Sequence, residues 1–360
     1  MTLRFLAFSL MLEVVFAALG ECPIDKTSHQ YLFVDGEVPF KSCHASTIAE
    51  MNNGDLVAAY FGGSYEGCKD VCIWVSRKSH DATEWSAPSM AADGVLNDTL
   101  RKACYNPVLQ LMPNGELWLF FKIGSCVADW TGWLTKSRDG GKTWSKREPL
   151  PEGFLGPIKN KPLLLGDRLL CPSSTEKDGW RIHFEILDLK TGQWHKVGPI
   201  KGAQALTTMD MNKPDAQPQE IMCIQPALLQ MADGSIKALC RTKNGKLATT
   251  ISHDDGETWS EVTLTDLPNN NSGVDAMTIS DGRHMLVYNP NSVMPGEESG
   301  PRTPLSIAMS EDGEHWKTIF NEEGPGELSY PAIIQGQNGH LYITYTFHRK
   351  RIAFWDLTLI

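Results

Sequence analysis

Arg241 and Arg302 are the residues best suited to holding an acid. Each guanidinium is a planar fork of donors that matches a carboxylate with two parallel hydrogen bonds. Tyr330 follows Glu327-Leu328-Ser329, so a carboxylate stands three residues before a phenol. A free phenol titrates near pH 10, and as a nucleophile it needs a base or a cation beside it. Glu327 is either that neighbour or an ordinary solvated turn residue. Glu66 and Asp70 lie close together in a Gly/Cys-rich loop, where one of them protonates a leaving oxygen or the pair merely caps the loop. His44 carries a ring that ordinarily titrates near neutrality, which suits an acid–base role as well as a structural one.

The elements that must position these groups are legible in repeats. Ser137-Arg138-Asp139-Gly140-Gly141-Lys142-Thr143-Trp144, Ser252-His253-Asp254-Asp255-Gly256-Glu257-Thr258-Trp259 and Ser310-Glu311-Asp312-Gly313-Glu314-His315-Trp316 are near-copies of one tight turn. Ser and Asp hydrogen-bond their own backbone, Gly supplies an unusual φ, and Trp packs the turn on a sheet. Ser79 to Trp85 is an eroded copy, and Trp194 closes a fainter one.

A longer unit contains these turns. An apolar strand, an Asn/Asp-Gly turn and a second apolar strand open it, beginning at His44, Asn106, Asn160, Gln225, Val274 and Tyr330. Tryptophans are expected to end its third strands. A repeat of roughly 50–65 residues fits a four-stranded propeller blade. The fold class is therefore all-β, a six-bladed β-propeller. Its sixth unit runs out of strands at Ile360, and His29–Gly36 is expected to supply the missing outer one and close the ring. Leu206–Gln219 reads as an insertion between blades three and four, and residues 21–360 as one domain.

Inner strands of a propeller begin around a central channel, so their opening residues converge. His44, Asn106, Asn160 with Lys161, Gln225, Asp275 and Tyr330 form that ring, and the returning strands add Lys122, Arg241, Asn289 and His348-Arg349. A ring polar in every blade points to a site for a hydroxyl-rich, anionic ligand, against the alternative of a structural polar plug.

These boxes and blades resemble the sialidase (neuraminidase) superfamily of Asp-box, or BNR-repeat, proteins, and are most similar to its poorly defined branch of predicted neuraminidases. The resemblance implies an arginine triad gripping a carboxylate, a Tyr nucleophile polarised by Glu, and an Asp acid. Arg241 and Arg302 match the second and third triad positions, Tyr330 the nucleophile and Asp70 the acid. The motif for the first triad arginine is replaced by Ser42-Cys43-His44-Ala45-Ser46, and Gln225 stands where the polarising Glu is expected.

The implied function is an exo-acting glycoside hydrolase that removes a terminal acidic sugar, sialic acid, from glycans. One alternative is a polysaccharide lyase or atypical glycosidase at a uronate-containing linkage, with His44 or Tyr330 moving the proton. Another is a non-catalytic glycan-binding propeller. No motif calls for a metal or organic cofactor. A net charge of -10 argues against a general nucleic-acid binder.

Residues 1–20, with Arg4 before an apolar run from Phe5 to Leu19, read as a secretory signal cleaved near Gly20. No second stretch is long enough for a transmembrane anchor. The expected destination is extracellular, or lysosomal or vacuolar. Some of the nine cysteines are then expected to pair, leaving at least one over. Asn97 and Asn270 head glycosylation acceptor motifs.

Overall fold

The computed structural model of the chain describes residues 24–360. The expected leader and Cys22 lie outside them. Among the described residues there is no helix, and six four-stranded antiparallel sheets form the blades.

Blade one runs from its inner strand Ser42–Glu50 through Leu56–Gly63 and Cys72–Lys78 to Ser89–Ala92. Blades two, three, four and five begin at Ala103–Leu111, Leu163–Leu165, Cys223–Gln230 and Asp275–Thr278. Blade six comprises Leu328–Gln335, Leu341–Phe347 and Arg351–Leu359. Its outer strand is Ile24–Tyr31, paired antiparallel with Arg351–Leu359. The N-terminus closes the ring as expected, but with a strand that ends where the expected one was barely under way. Leu32 and Phe33 instead turn inward and join the aromatic cluster between blades six and one. The insertion between blades three and four is carried on a small ribbon, Gln204–Ala205 with Gln219–Glu220.

Each interface between neighbouring blades has its own apolar cluster. Val57 and Leu119 exemplify blades one and two; Phe120 and Leu169, blades two and three; Phe184 and Ala238, blades three and four. Leu229 with Leu286, Val287 with Ile343, and Tyr60 with Phe354 continue the series around the ring. Burial of these alternating strand faces is the main force holding the blades edge to edge.

The turn boxes behave as their residues dictate. In blade two Ser137 Oγ accepts from Gly141 N at 2.8 Å, while Asp139 accepts from Thr143 N at 2.9 Å and from its hydroxyl at 2.6 Å. Blade four repeats this at Ser252, Asp254, Gly256 and Thr258. In blade five His315 replaces Thr, and its Nδ1 lies 2.7 Å from Asp312. Trp259 then stacks on Phe184 of the preceding blade, ring centroids 3.7 Å apart, so a local turn also staples two blades. The tryptophans sit just after the third strands and do not end them, and Trp194 opens the outer strand of its blade.

Among the described residues none of the expected disulfides forms. Cys43, Cys68, Cys72, Cys104, Cys126, Cys171, Cys223 and Cys240 are all unpaired, and most are buried as small apolar side chains of the sheets. Asn270 is fully buried and its amide donates to Pro301 O at 2.6 Å, so it has no room for a glycan, whereas Asn97 is exposed.

Candidate active site

Four inner strands carry the same irregularity. Their pairing slips by a residue between His44 and Thr47, Tyr105 and Val108, Ile224 and Ala227, and Ser329 and Ala332. At each bulge one residue takes a positive φ: Ala45 at 54°, Asn106 at 36°, Gln225 at 57° and Tyr330 at 52°. Bulges re-aim side chains, and non-glycine residues held there mark places where the surrounding structure imposes strain. Proline follows in three of the four, at Pro107, Pro226 and Pro331, and having no N–H it leaves no donor stranded by the slip.

Tyr330 is the centre of the resulting constellation. Arg241 Nη1 donates to its hydroxyl at 2.6 Å and Gln225 Nε2 at 3.3 Å. The Arg302 guanidinium lies 5.6 Å from the same ring's centroid, and that of Arg241 5.9 Å. Glu327 receives Arg302 at 2.7 Å and Arg349 Nε at 3.1 Å, with the Ser329 hydroxyl at 2.5 Å. Arg349 reaches on to Glu66 across the mouth of the ring. Burial pushes the Glu327 carboxyl up, but Arg302, Arg349 and Ser329 together outweigh it and hold the group below the ordinary range. Glu327 therefore stays ionised and ties two guanidiniums into one place.

His44 is packed against Tyr330, ring centroids 4.1 Å apart, and its Nδ1 lies 4.0 Å from Glu327. Neither ring nitrogen has a hydrogen-bond partner. Burial, reinforced by Arg349, Arg302, Lys159 and Arg241, drives its pKa well below the usual value. The expectation that His44 titrates near neutrality is thus corrected: the imidazole is neutral at that pH.

Asp70 and Glu66 are both exposed, in the loop between the second and third strands of blade one. Asp70 Oδ2 accepts from Ser64 N at 3.0 Å and from its hydroxyl at 2.7 Å, and none of the described residues bonds its other oxygen.

Several members of the expected ring are not brought to this basin. Lys122 is completely enclosed, its ammonium directed at the carbonyls of Asn106 and Pro157, and burial brings it down to about 7. Lys161 pairs with Asp275 at 2.8 Å, and Asp275 also accepts from Ile333 N at 2.8 Å. Lys161 lines the opposite mouth of the channel with Glu50 and Gln335, where the inner strands end. Asn289 donates to Pro304 O at 2.8 Å and to Leu328 O at 2.9 Å, joining blades five and six. Asn160 donates to the carbonyls of Gln225 and Pro226, both at 3.0 Å. The polar ring is therefore two things, a structural plug with an arginine-rich basin above it.

Sequence reasoning missed four residues of the basin. Lys159, buried, donates to Asn160 Oδ1 at 2.8 Å, Val274 O at 2.9 Å and Pro331 O at 2.8 Å, and lies 5.7 Å from the Tyr330 ring centroid. Asn271 Oδ1 accepts from Arg241 Nε at 2.9 Å and aims that arginine. Trp180 faces Arg241 at 5.0 Å and Lys243 at 4.7 Å. Glu176, hydrogen-bonded with Trp180, has its pKa raised by burial, partly offset by Arg241. A signal for Glu176 exists: it leaves the second strand of blade three, Arg168–Thr175, where Arg241 ends that of blade four.

The chain is thus an all-β ring of six blades with arginines gathered round a tyrosine on one face. Residues 54–343 match the BNR repeat-like domain, and the chain belongs to that family. No relative is found among curated protein sequences. Among solved structures it is similar to a protein of unknown function from Dyadobacter fermentans, with TM-score 0.71, 14% identity, and coverage of 94% of this chain and 100% of that one. The NanB sialidase from Streptococcus pneumoniae follows at TM-score 0.68 and 14% identity, covering 92% and 70%. The intramolecular trans-sialidase from Ruminococcus gnavus gives 0.64 and 15%, covering 92% and 97%. At such identities the likeness is one of fold.

Proposed function

We propose that the chain is a glycan-active enzyme of sialidase type, an exo-glycoside hydrolase for a terminal acidic sugar such as sialic acid. The observation that carries this reading is the meeting of Arg241 and Arg302 at Tyr330, with Arg349 joined to Arg302 through Glu327. Arg349 stands in for the triad arginine absent from the start of blade one. Together the three grip the sugar carboxylate. Tyr330 then attacks the anomeric carbon, the tyrosine variant of the two-carboxylate scheme. The Arg241 guanidinium stabilises the developing phenolate. Neutral His44, through its one unprotonated nitrogen, takes the phenol proton because the carboxamide of Gln225 cannot, with Glu327 4.0 Å away to offset the cations that disfavour the imidazolium. Asp70, oriented by Ser64 through one oxygen, protonates the leaving oxygen with the other. Glu176 is the competing donor. Loss of activity confined to substrates with poor leaving groups in Asp70→Asn supports the assignment; the same behaviour in Glu176→Gln transfers it.

One observation favours a second reading. Gln225 at the phenol together with unpartnered His44 suits proton abstraction from a uronate, with Arg241 holding the enolate. Incubating the chain with sialylated and uronate-bearing glycans, followed by mass spectrometry and ultraviolet absorbance, separates the two. Free sialic acid, abolished by Tyr330→Phe, supports the hydrolase. An unsaturated product, abolished by His44→Ala, replaces it with the lyase, and binding without turnover leaves a lectin. Export of the chain through its first 20 residues belongs to the same proposal, since it delivers the enzyme to glycans.

A further inference from the structure

A cleft of about 740 Å³ opens between blades two and three on the face that holds Tyr330, beside the arginine basin and separate from it. Its place follows from the topology. Thr131 and Arg181 in its walls start third strands, and third strands start on the face where second strands end with residues such as Arg241. The loop after Thr175 is the partition between the two. Thr175, Lys177 and Asp178 line the cleft, while Trp180 covers Arg241 and Lys243 on the basin side.

The cleft floor is fixed in advance. Glu185, completely buried, accepts from Leu155 N at 3.0 Å and Gly156 N at 2.7 Å, and lies 2.8 Å from His183 Nε2. A carboxylate so placed takes the ring N–H and holds the imidazole in one orientation. Phe154, half-buried, and Trp130 supply an apolar wall, and Lys196 sits 5.4 Å from the Phe154 ring centroid. Aromatic faces with a few fixed polar groups are how proteins hold sugar rings.

The uncommitted donors give the ligand its sign. Arg181 Nη2 bonds Glu220 at 3.0 Å, but its Nη1 is enclosed and has no partner. Lys177 is exposed and has no ion pair among the described residues. Of the two acids in the lining, Asp129 is already taken by Lys102 at 3.1 Å and by the backbone of Ser125 and Cys126, and Asp178 is exposed beside Lys177. An enclosed donor without a partner is costly unless an acceptor arrives.

We infer that this cleft binds a second, acidic sugar ring of the same glycan chain, its charged group on Arg181 and Lys177 and its apolar face on Phe154. The inference rests on the reading of the basin as a glycan site, and it makes the natural substrate an oligosaccharide carrying negative charge beyond the sugar that Tyr330 meets.

Calorimetric titration of the full chain tests it with three probes: a hyaluronan tetrasaccharide, a chondroitin sulfate tetrasaccharide and cellotetraose. At least one acidic probe is expected to bind, and cellotetraose at least tenfold more weakly. Lys177→Glu, at an exposed position that leaves the fold alone, is expected to weaken the acidic probe at least fivefold without changing cellotetraose. Arg181→Gln repeats the loss. Unchanged affinity in Lys177→Glu, or no binding of either acidic probe, overturns the cleft. Arg302→Ala keeps the two readings apart. Binding lost there but retained in Lys177→Glu leaves the basin and removes the cleft; the reverse leaves the cleft and removes the basin.

Discussion

Asp139 and Glu327 are both acids at the edge of a propeller blade, on opposite faces of the ring. Asp139 bonds only its own turn, every partner within four residues. Glu327 is mostly buried and bonds Arg302, Arg349 and Ser329, partners drawn from the loop of blade five, the second hairpin of blade six and its inner strand. One carboxylate shapes a turn and is repeated wherever that turn is needed. The other collects guanidiniums that would repel one another, and it occurs once. Charge that shapes the turn is local and repeated; the charge of the basin is assembled from distant segments and held against the desolvation that opposes it.

The contrast is broken most sharply at Tyr330. If the basin is the reacting centre, Tyr330→Phe lowers kcat by about a thousandfold or more; Arg241→Gln lowers kcat through the same hydrogen bond without adding to that loss, and raises KM because the arginine also grips the carboxylate. Steady-state kinetics of the single and double variants decide this, and additive losses would place the two in separate roles. Glu327→Gln comes next. It removes the acid shared by Arg302 and Arg349, and about 2 kcal/mol of unfolding free energy is expected to go with it, together with a raised KM. Urea denaturation alongside kinetics reads both, and a variant as stable as the parent would show that the arginines do not need their acid.

How much of this was legible follows from the same contrast. The turn boxes, the Asn/Asp-Gly hairpins and hence the six blades are written in contiguous residues, so the fold could be read. So could Arg241, Gln225, His44 and Tyr330, because each lies where a strand located by the hairpins opens or ends, whereas Arg302, in a loop, was reached only through the family resemblance. Lys122, Lys161, Asp275 and Asn289 satisfy the same rule yet lie in the plug. Which side of a bulge a side chain takes depends on register, and register shifts leave no local mark beyond the following proline. Glu176 and Trp180 escaped notice for another reason: the hairpin of blade three turns through Gly166-Asp167, the reverse of the usual order, and this hid where its second strand ends. The pKa of His44 could not be read at all, because four cations from four separate segments set it after burial.

On the turn face, Asp139→Ala removes the bonds that close the box and is expected to cost about 1.5 kcal/mol with kcat untouched. Thermal and urea unfolding with a parallel activity assay check it. A fall in kcat equal to that of Glu327→Gln would erase the division between the faces.

The last effect concerns two buried lysines, Lys122 of the plug and Lys159 of the basin. Burial brings both Lys122 and Lys159 down to about 7. A lysine in the unfolded chain titrates near pH 10.4. Below pH 7 both states hold the proton, and the burial penalty is fully present. Above it the unfolded chain binds more protons than the folded one, so unfolding free energy rises with pH. Buried acids act oppositely. Burial raises Cys104 and Tyr60, so the folded chain keeps protons that the unfolded chain gives up from about pH 8.5 upward, and that contribution is lost as pH climbs. The net rise is therefore confined between pH 7 and about 8.5. Urea titrations at the two ends of that window measure it, and Lys122→Met is expected to flatten the slope, since one of two comparable lysines is gone. An unchanged slope would mean that Lys122 stays charged inside the plug, and the division between plug and basin would then rest on geometry alone.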